Sequence, residues 1–256
     1  MVEQNIRIKS VQLLALSIML SFCACSSIYM PNVPATPMFR EQGEVYLAAH
    51  SNVKGNISGQ AGVAVGKHVA VIANGSYIDR GGESSNNLFR QQLVEAGLGY
   101  FTKIGKDKRQ VLEVYGGYGL GSSTEVDRRA TTIGMEPVET RAMDFDKIFV
   151  QVNYSSTRKQ KLNLFGKRRE LNYGTAIRAS RVGMTSFLIN DLESPKEEAF
   201  FFEPLFFTRM ELHKGLQLQY TNGFNFNVLE NDYLKAGNAV FTLGVTYNFG
   251  GKTYRK

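Results

Sequence analysis

The chain has no tryptophan, only two cysteines, three histidines and six prolines in 256 residues. Only one long apolar run is present, close to the N-terminus. That scarcity excludes a bundle of spanning helices, because each needs about 20 consecutive apolar residues. It does not exclude a membrane β-barrel, whose strands disperse their apolar residues in alternation. Both cysteines, Cys23 and Cys25, lie in the apolar N-terminal region, so the body has no disulfide framework and no Cys/His spacing for a metal. What is present argues for a well-filled fold. Hydrophobic residues make up 43%, charged residues 21%, and there are 17 Phe, 12 Tyr and 25 Gly, which excludes a disordered polar chain. The net charge is +7 and the mean hydropathy is -0.21.

The apolar stretch from Val11 to Phe22 follows Arg7 and Lys9 and ends in small residues, the order of an export signal too short to be a stable span. Phe22-Cys23-Ala24-Cys25 resembles the lipobox of bacterial lipoproteins, which implies cleavage after Ala24 and acylation, including palmitate, at Cys25. Residues 1–24 are thus expected to leave as a signal peptide. Residues 25–42 contain Pro31, Pro34 and Pro37, and proline removes a backbone donor and fixes φ. The expectation is a lipidated, extended tether that spaces the anchor from the fold.

Residues 43–250 carry a repeated period of two. Phe241, Leu243, Val245, Tyr247 and Phe249 alternate with Thr242, Gly244, Thr246 and Asn248. Similar alternation occurs in Val94–Tyr100, Leu112–Leu120, Ile148–Tyr154 and Leu216–Phe226, and less regularly in Glu44–Ser51, Asn56–Val65, His68–Ile78, Leu171–Val182 and Phe201–Leu212. The fold class is therefore all-β: a single antiparallel transmembrane β-barrel of about ten strands, with eight or twelve as the neighbouring counts. Pro204 marks a bulge or strand end, and residues 251–256 form a basic tail.

Connection lengths place short turns at one end and long loops at the other. The expected periplasmic turns are Gly66-Lys67, Gly105–Arg109, Arg158–Glu170 and His213–Gly215. The expected outer loops are Asn52–Gly55, Asp79–Arg90, Gly121–Asp146, Gly183–Ala199 and Asn227–Asn238. A soluble lipocalin-like barrel would show the same alternation with its faces exchanged. The second face, rich in Gly, Asn, Gln and Thr, suits a narrow polar lumen better than a solvated surface. Aromatic residues near strand ends, such as Tyr77, Tyr100, Tyr173 and Tyr247, suit interfacial girdles.

The Cys25 signal, the Pro-rich segment and the closing strand FTLGVTYNFG together resemble the small outer-membrane β-barrel lipoproteins of Gram-negative bacteria, Bacteroidota type, a group largely of undefined function. The resemblance implies an outer-membrane location, insertion by the barrel-assembly machinery and contact with outer-membrane lipid. Ser26-Ser27-Ile28-Tyr29 lacks the acidic run of surface-exposed lipoproteins, so the tether is expected to face the periplasm.

Glu95, Glu113, Arg178, Glu203, Arg209 and Glu211 fall on the expected lumen face, where ions must be paired. A filled lumen is the plainer expectation for this charge network, and a selective pore lining or small-ligand site the sharper one. Arg158, Lys159, Lys161, Lys167, Arg168 and Arg169 form the strongest basic run. It would meet anionic headgroups or a periplasmic protein, or lipopolysaccharide phosphates if the orientation were reversed. An enzyme is not expected: His50, His68 and His213 are the only histidines, without the His and Asp pairing of omptin-like proteases or the Ser-His pairing of lipid A deacylases. The glycines of Gly116-Gly117-Tyr118-Gly119 sit in a strand pattern with no helix after them, which speaks for close packing and against a phosphate cradle. No cofactor and no nucleic-acid partner are expected, the basic residues not being interleaved with stacking aromatics. The leading function is a non-enzymatic structural or surface-binding barrel; the alternatives are a narrow porin-like channel and a soluble periplasmic lipocalin-like binder.

Overall fold

The computed structural model describes residues 27–52, 55–82, 84–132, 134–157, 162–164, 166–235 and 239–251. The expected signal peptide, Cys25 and the tail after Gly251 lie outside the described residues. Ten antiparallel strands form the wall: β1 (Glu44–Ser51), β2 (Asn56–Val63), β3 (Val69–Arg80), β4 (Asn87–Ile104), β5 (Gln110–Thr131), β6 (Gly134–Thr157), β7 (Leu171–Ile189), β8 (Glu198–His213), β9 (Leu216–Gly223) and β10 (Val240–Gly250). Each pairs with its neighbours in sequence, and β1 closes on β10 through Glu44↔Gly250 to Ser51↔Leu243. Closure removes every sheet edge, as a backbone in lipid requires.

The burial pattern is inverted relative to a soluble domain. Along β10, Phe241, Leu243, Val245 and Tyr247 are exposed on the outside, whereas Thr242, Thr246 and Asn248 are buried inside. The same holds for Val94 and Leu98 against Glu95 on β4, and for Ile148, Val150 and Val152 against Lys147, Gln151 and Asn153 on β6. A barrel that exposes aliphatic side chains and buries charged ones is built for lipid, which sets aside the soluble lipocalin-like alternative.

The apolar band has charged borders. On β3 the outward positions run from Val69 to Tyr77 and end at Asp79, which pairs with the exposed Arg90 of β4 at 3.0 Å. On β6 and β7 they end at Asp146 and Arg181, with Arg181 also bonded to Glu198 of β8. Val69 to Tyr77 covers about 20 Å of barrel axis at ~3.3 Å per residue and ~40° tilt, close to the ~25 Å band of outer-membrane barrels.

Three expectations are corrected. The loops assigned to Gly121–Asp146 and Gly183–Ala199 are largely strand, and that assigned to Asp79–Arg90 is half strand: β5 and β6 stay paired to Thr131↔Gly134, far beyond the apolar band. Outside lipid both faces of a strand are polar, so the alternation that marks a strand disappears while the ladder continues. The 158–170 connection contains a small hairpin, Leu162–Leu164 with Lys167–Arg169, which stands as a separate sheet and leaves the wall at ten strands. Lastly, the described part of the tether is extended but does not lie outside the fold. Residues 27–37 and 39 are buried in the lumen.

Pro204 lies inside β8, paired with Ile177 of β7. On its other side the ladder to β9 stops at Leu205↔Gly223, and Phe226–Asn227 pairs again with Phe202 and Phe201, so the proline stands at a break where donors are not in register.

Candidate functional site

The lumen is the feature in which polar and charged groups converge, and it is filled in two zones. The first is a charge cluster between the walls. Lys147 on β6 contacts Glu95 on β4 at 3.1 Å and Glu203 on β8 at 3.1 Å. Arg178 on β7 contacts Glu95 at 3.0 Å and donates to Gln151 Oε1 through Nε and Nη2 at 2.9 and 2.7 Å. Asn74 donates to Glu95 at 3.2 Å, and Ser180 to Glu203. The Arg178 guanidinium also lies 4.4 Å from the centroid of the Phe149 ring. Two cations face two carboxylates, each with further hydrogen bonds, the arrangement that makes buried ions tolerable.

The second zone grips the N-terminal segment. Residues 27–40 form no strand, so their backbone groups need side-chain partners from the wall. Pro31, Pro34 and Pro37 each remove one donor from that requirement. The carbonyls are met in order. Ser123 donates to Ile28 O at 2.7 Å, Gln91 to Met30 O at 2.6 Å, and Gln60 to Val33 O at 2.8 Å. Gln151 and Asn153 donate to Ala35 O at 2.7 and 3.0 Å, Arg209 to Thr36 O, and Asn248 to Pro37 O at 3.0 Å. Four amides are met as well: Met30 N–H donates to Gln91 at 2.8 Å, those of Met38 and Phe39 to the Glu113 carboxylate at 3.3 and 3.1 Å, and that of Arg40 to Glu44 at 2.7 Å. Seven wall strands hold the segment: β1, β2, β4, β5, β6, β8 and β10.

Aromatic packing completes the filling. Tyr29 stacks on Phe201 at 5.1 Å between centroids and meets Phe145 edge-on at 5.3 Å, in a cluster with Phe187 and with Leu234 of the β9–β10 connection. Phe39 packs with Tyr46, Phe101 and Tyr115 at the other end. Glycine makes room for these rings: a Cβ on Gly117 would come within 2.4 Å of Phe149, so that glycine serves close packing.

Of the charged residues expected in the lumen, Glu95, Arg178 and Glu203 share the cluster, whereas Glu113 and Arg209 hold the segment from β5 and β8. Glu211 is only half-buried and lines a cavity of about 280 Å³ at the short-turn mouth, with Arg40, Glu170 and Lys214. Sequence reasoning missed Lys147, Gln151, Asn153, Gln91, Gln60 and Tyr29 as members of the site. Lys147 was within reach, standing two residues before Phe149 on the same face. The basic run is only partly visible: Arg158, Lys159, Lys161 and the side chain of Lys167 lie outside what is described, Arg168 is exposed, and Arg169 donates to the carbonyls of Glu211 and Leu212 at 3.1 and 2.9 Å. The histidines are scattered. His50 is buried on the lumen face of β1, His68 stacks on Tyr100 at the β2–β3 turn with 5.2 Å between centroids, and His213 ends β8.

No family model matches the chain, and no curated protein does. Among solved structures it is similar to the translocator domain of the autotransporter NalP from Neisseria meningitidis, with 10% identity, a TM-score of 0.42 and coverage of 82% of this chain and 81% of that one. It is also similar to the siderophore receptor PirA from Pseudomonas aeruginosa, with 13% identity and a TM-score of 0.20; 80% of this chain is covered, but only 40% of the receptor. The protein is a closed membrane-type β-barrel. That statement rests on its own strand order and its exchanged polar and apolar faces.

Proposed function

We propose that the protein is a non-enzymatic outer-membrane β-barrel lipoprotein, acylated at Cys25, with a structural or surface-binding role. The observation that carries this reading is the lumen, filled by the charge cluster and by residues 27–39 from one mouth to the other. A porin-like channel needs a continuous polar path, and here Gln60, Gln91, Gln151, Asn153, Arg209 and Asn248 are engaged with the segment backbone, while Arg178 and Asn74 are engaged with Glu95. The part that projects beyond the apolar band, formed by β4 to β7, is the surface on which binding would occur. It carries Arg141 bonded to Glu125 at 3.0 Å and to Glu139 at 2.8 Å, which ties the tall β5–β6 hairpin together.

The experiment is a planar-bilayer recording on protein whose folding is verified by faster migration in unboiled than in boiled gels. Folded protein is expected to give no conductance steps; steady ohmic steps from the intact chain would overturn the sealed-barrel reading. Metabolic lipid labelling, lost in Cys25→Ser while the barrel stays in the membrane fraction, tests the anchor separately.

A further inference from the structure

We infer that the chain is threaded: residues 27–40 run through the lumen so that Ser27 stands toward the long-loop mouth, opposite both the start of β1 and the end of β10. This rests on the outer-membrane reading for the names of the two sides, but the threading itself is independent of lipidation.

Three observations carry it. The first is order. Arg40 donates to the Arg109 carbonyl at the β4–β5 turn, Phe39 and Pro37 are held by Glu113 and Asn248 near the short-turn ends of β5 and β10, and Met30 and Ile28 by Gln91 and Ser123 far up β4 and β5. The segment thus runs one way, without doubling back. The second is level. Gln91, which holds Met30 at both N and O, is the next residue after Arg90, and the Arg90–Asp79 pair marks the long-loop border of the apolar band. Ser27 to Met30 have therefore crossed the whole band. The ten residues from Met30 to Arg40 can span up to about 33 Å, enough for that crossing. The third is reach. Cys25 is two residues from Ser27, so it lies within about 7 Å of it along the chain, whereas the short-turn mouth is about 30 Å away. An anchor at Cys25 would therefore belong to the long-loop side.

The expectation of a periplasmic tether is replaced by a lipid and N-terminus presented at the cell surface. The rim offers a way out: β1 and β2 end at Ser51 and Asn56, low beside the β5–β6 ladder that continues to Thr131↔Gly134.

The test inserts an epitope followed by a protease site between Ser26 and Ser27 of the full chain, and in a second strain the same cassette after Lys256. Added protease is expected to remove the N-terminal epitope from intact cells and the C-terminal one only after the outer membrane is opened. Equal accessibility of the two overturns threading, and the reverse pattern overturns its surface orientation. Lipid labelling in parallel separates the readings, since an unlabelled chain with opposite accessibilities removes only the anchor. Should the insertion block folding, a short bis-maleimide applied to Met30→Cys with Gln91→Cys reports the same contact. A cross-linked species of altered mobility is expected from membrane-embedded protein, and its absence would also count against threading.

Discussion

The two zones of the lumen solve the same problem in different ways. Around Lys147 and Arg178 the wall satisfies itself, with cations on β6 and β7 meeting carboxylates on β4 and β8. Around Glu113, Arg209 and Asn248 the wall is satisfied by the N-terminal segment. The difference teaches that the first zone ties strands together, whereas the second ties a separate strip of chain into the barrel. Barrel stability and lumen sealing should therefore be separable.

The largest effect that would probe this separation is deletion of residues 27–39 with the export region joined directly to Arg40. The barrel should still insert and shift on unboiled gels, but bilayers should now show conductance where the intact chain shows none. A shortened protein that remains silent would mean that the charge cluster alone seals the lumen. Next comes Arg178→Met, which leaves Glu95 short of one of its two cations. A loss of about 3–5 kcal/mol in denaturant unfolding from lipid vesicles is expected, as for a broken buried pair, without any leak. Smaller is Glu113→Ala, which strands the amides of Met38 and Phe39. Here about 1–3 kcal/mol is expected from unsatisfied buried donors, together with intermittent conductance as the segment loosens. If Arg178→Met leaks and Glu113→Ala does not, the assignment of roles to the two zones is wrong.

Much of the wall was legible because lipid on one side and a packed lumen on the other impose a strict period of two. The segment Phe241 to Phe249 shows it without interruption, and the observed β10 follows it residue by residue. Legibility failed where that environment ends. Ser122, Ser123, Thr124, Glu125 and Asp127 continue β5 above the apolar band, but their polarity on both faces reads as loop. The charge cluster was half legible: Glu95, Arg178 and Glu203 stand on the correct face by counting, but which ions meet depends on the stagger between strands distant in sequence. Lys147 was missed because the strand was begun one residue late, at Ile148.

The N-terminal segment shows the limit most directly. Pro31, Pro34 and Pro37 determine, by themselves, that this stretch is extended and forms neither helix nor strand, since each fixes φ and lacks an N–H. The alternation along the wall likewise determines strands with one apolar and one polar face, whereas closure and the outward direction of the apolar face were decided by the structure. Where the extended stretch lies was decided only in the tertiary structure. Its carbonyls find Gln60, Gln91, Gln151 and Asn248 on four different strands, and no local pattern can indicate that those amides converge on one line through the lumen. The same buried polar groups that lipid forbids on the outside of the barrel become the donors that hold the chain within it.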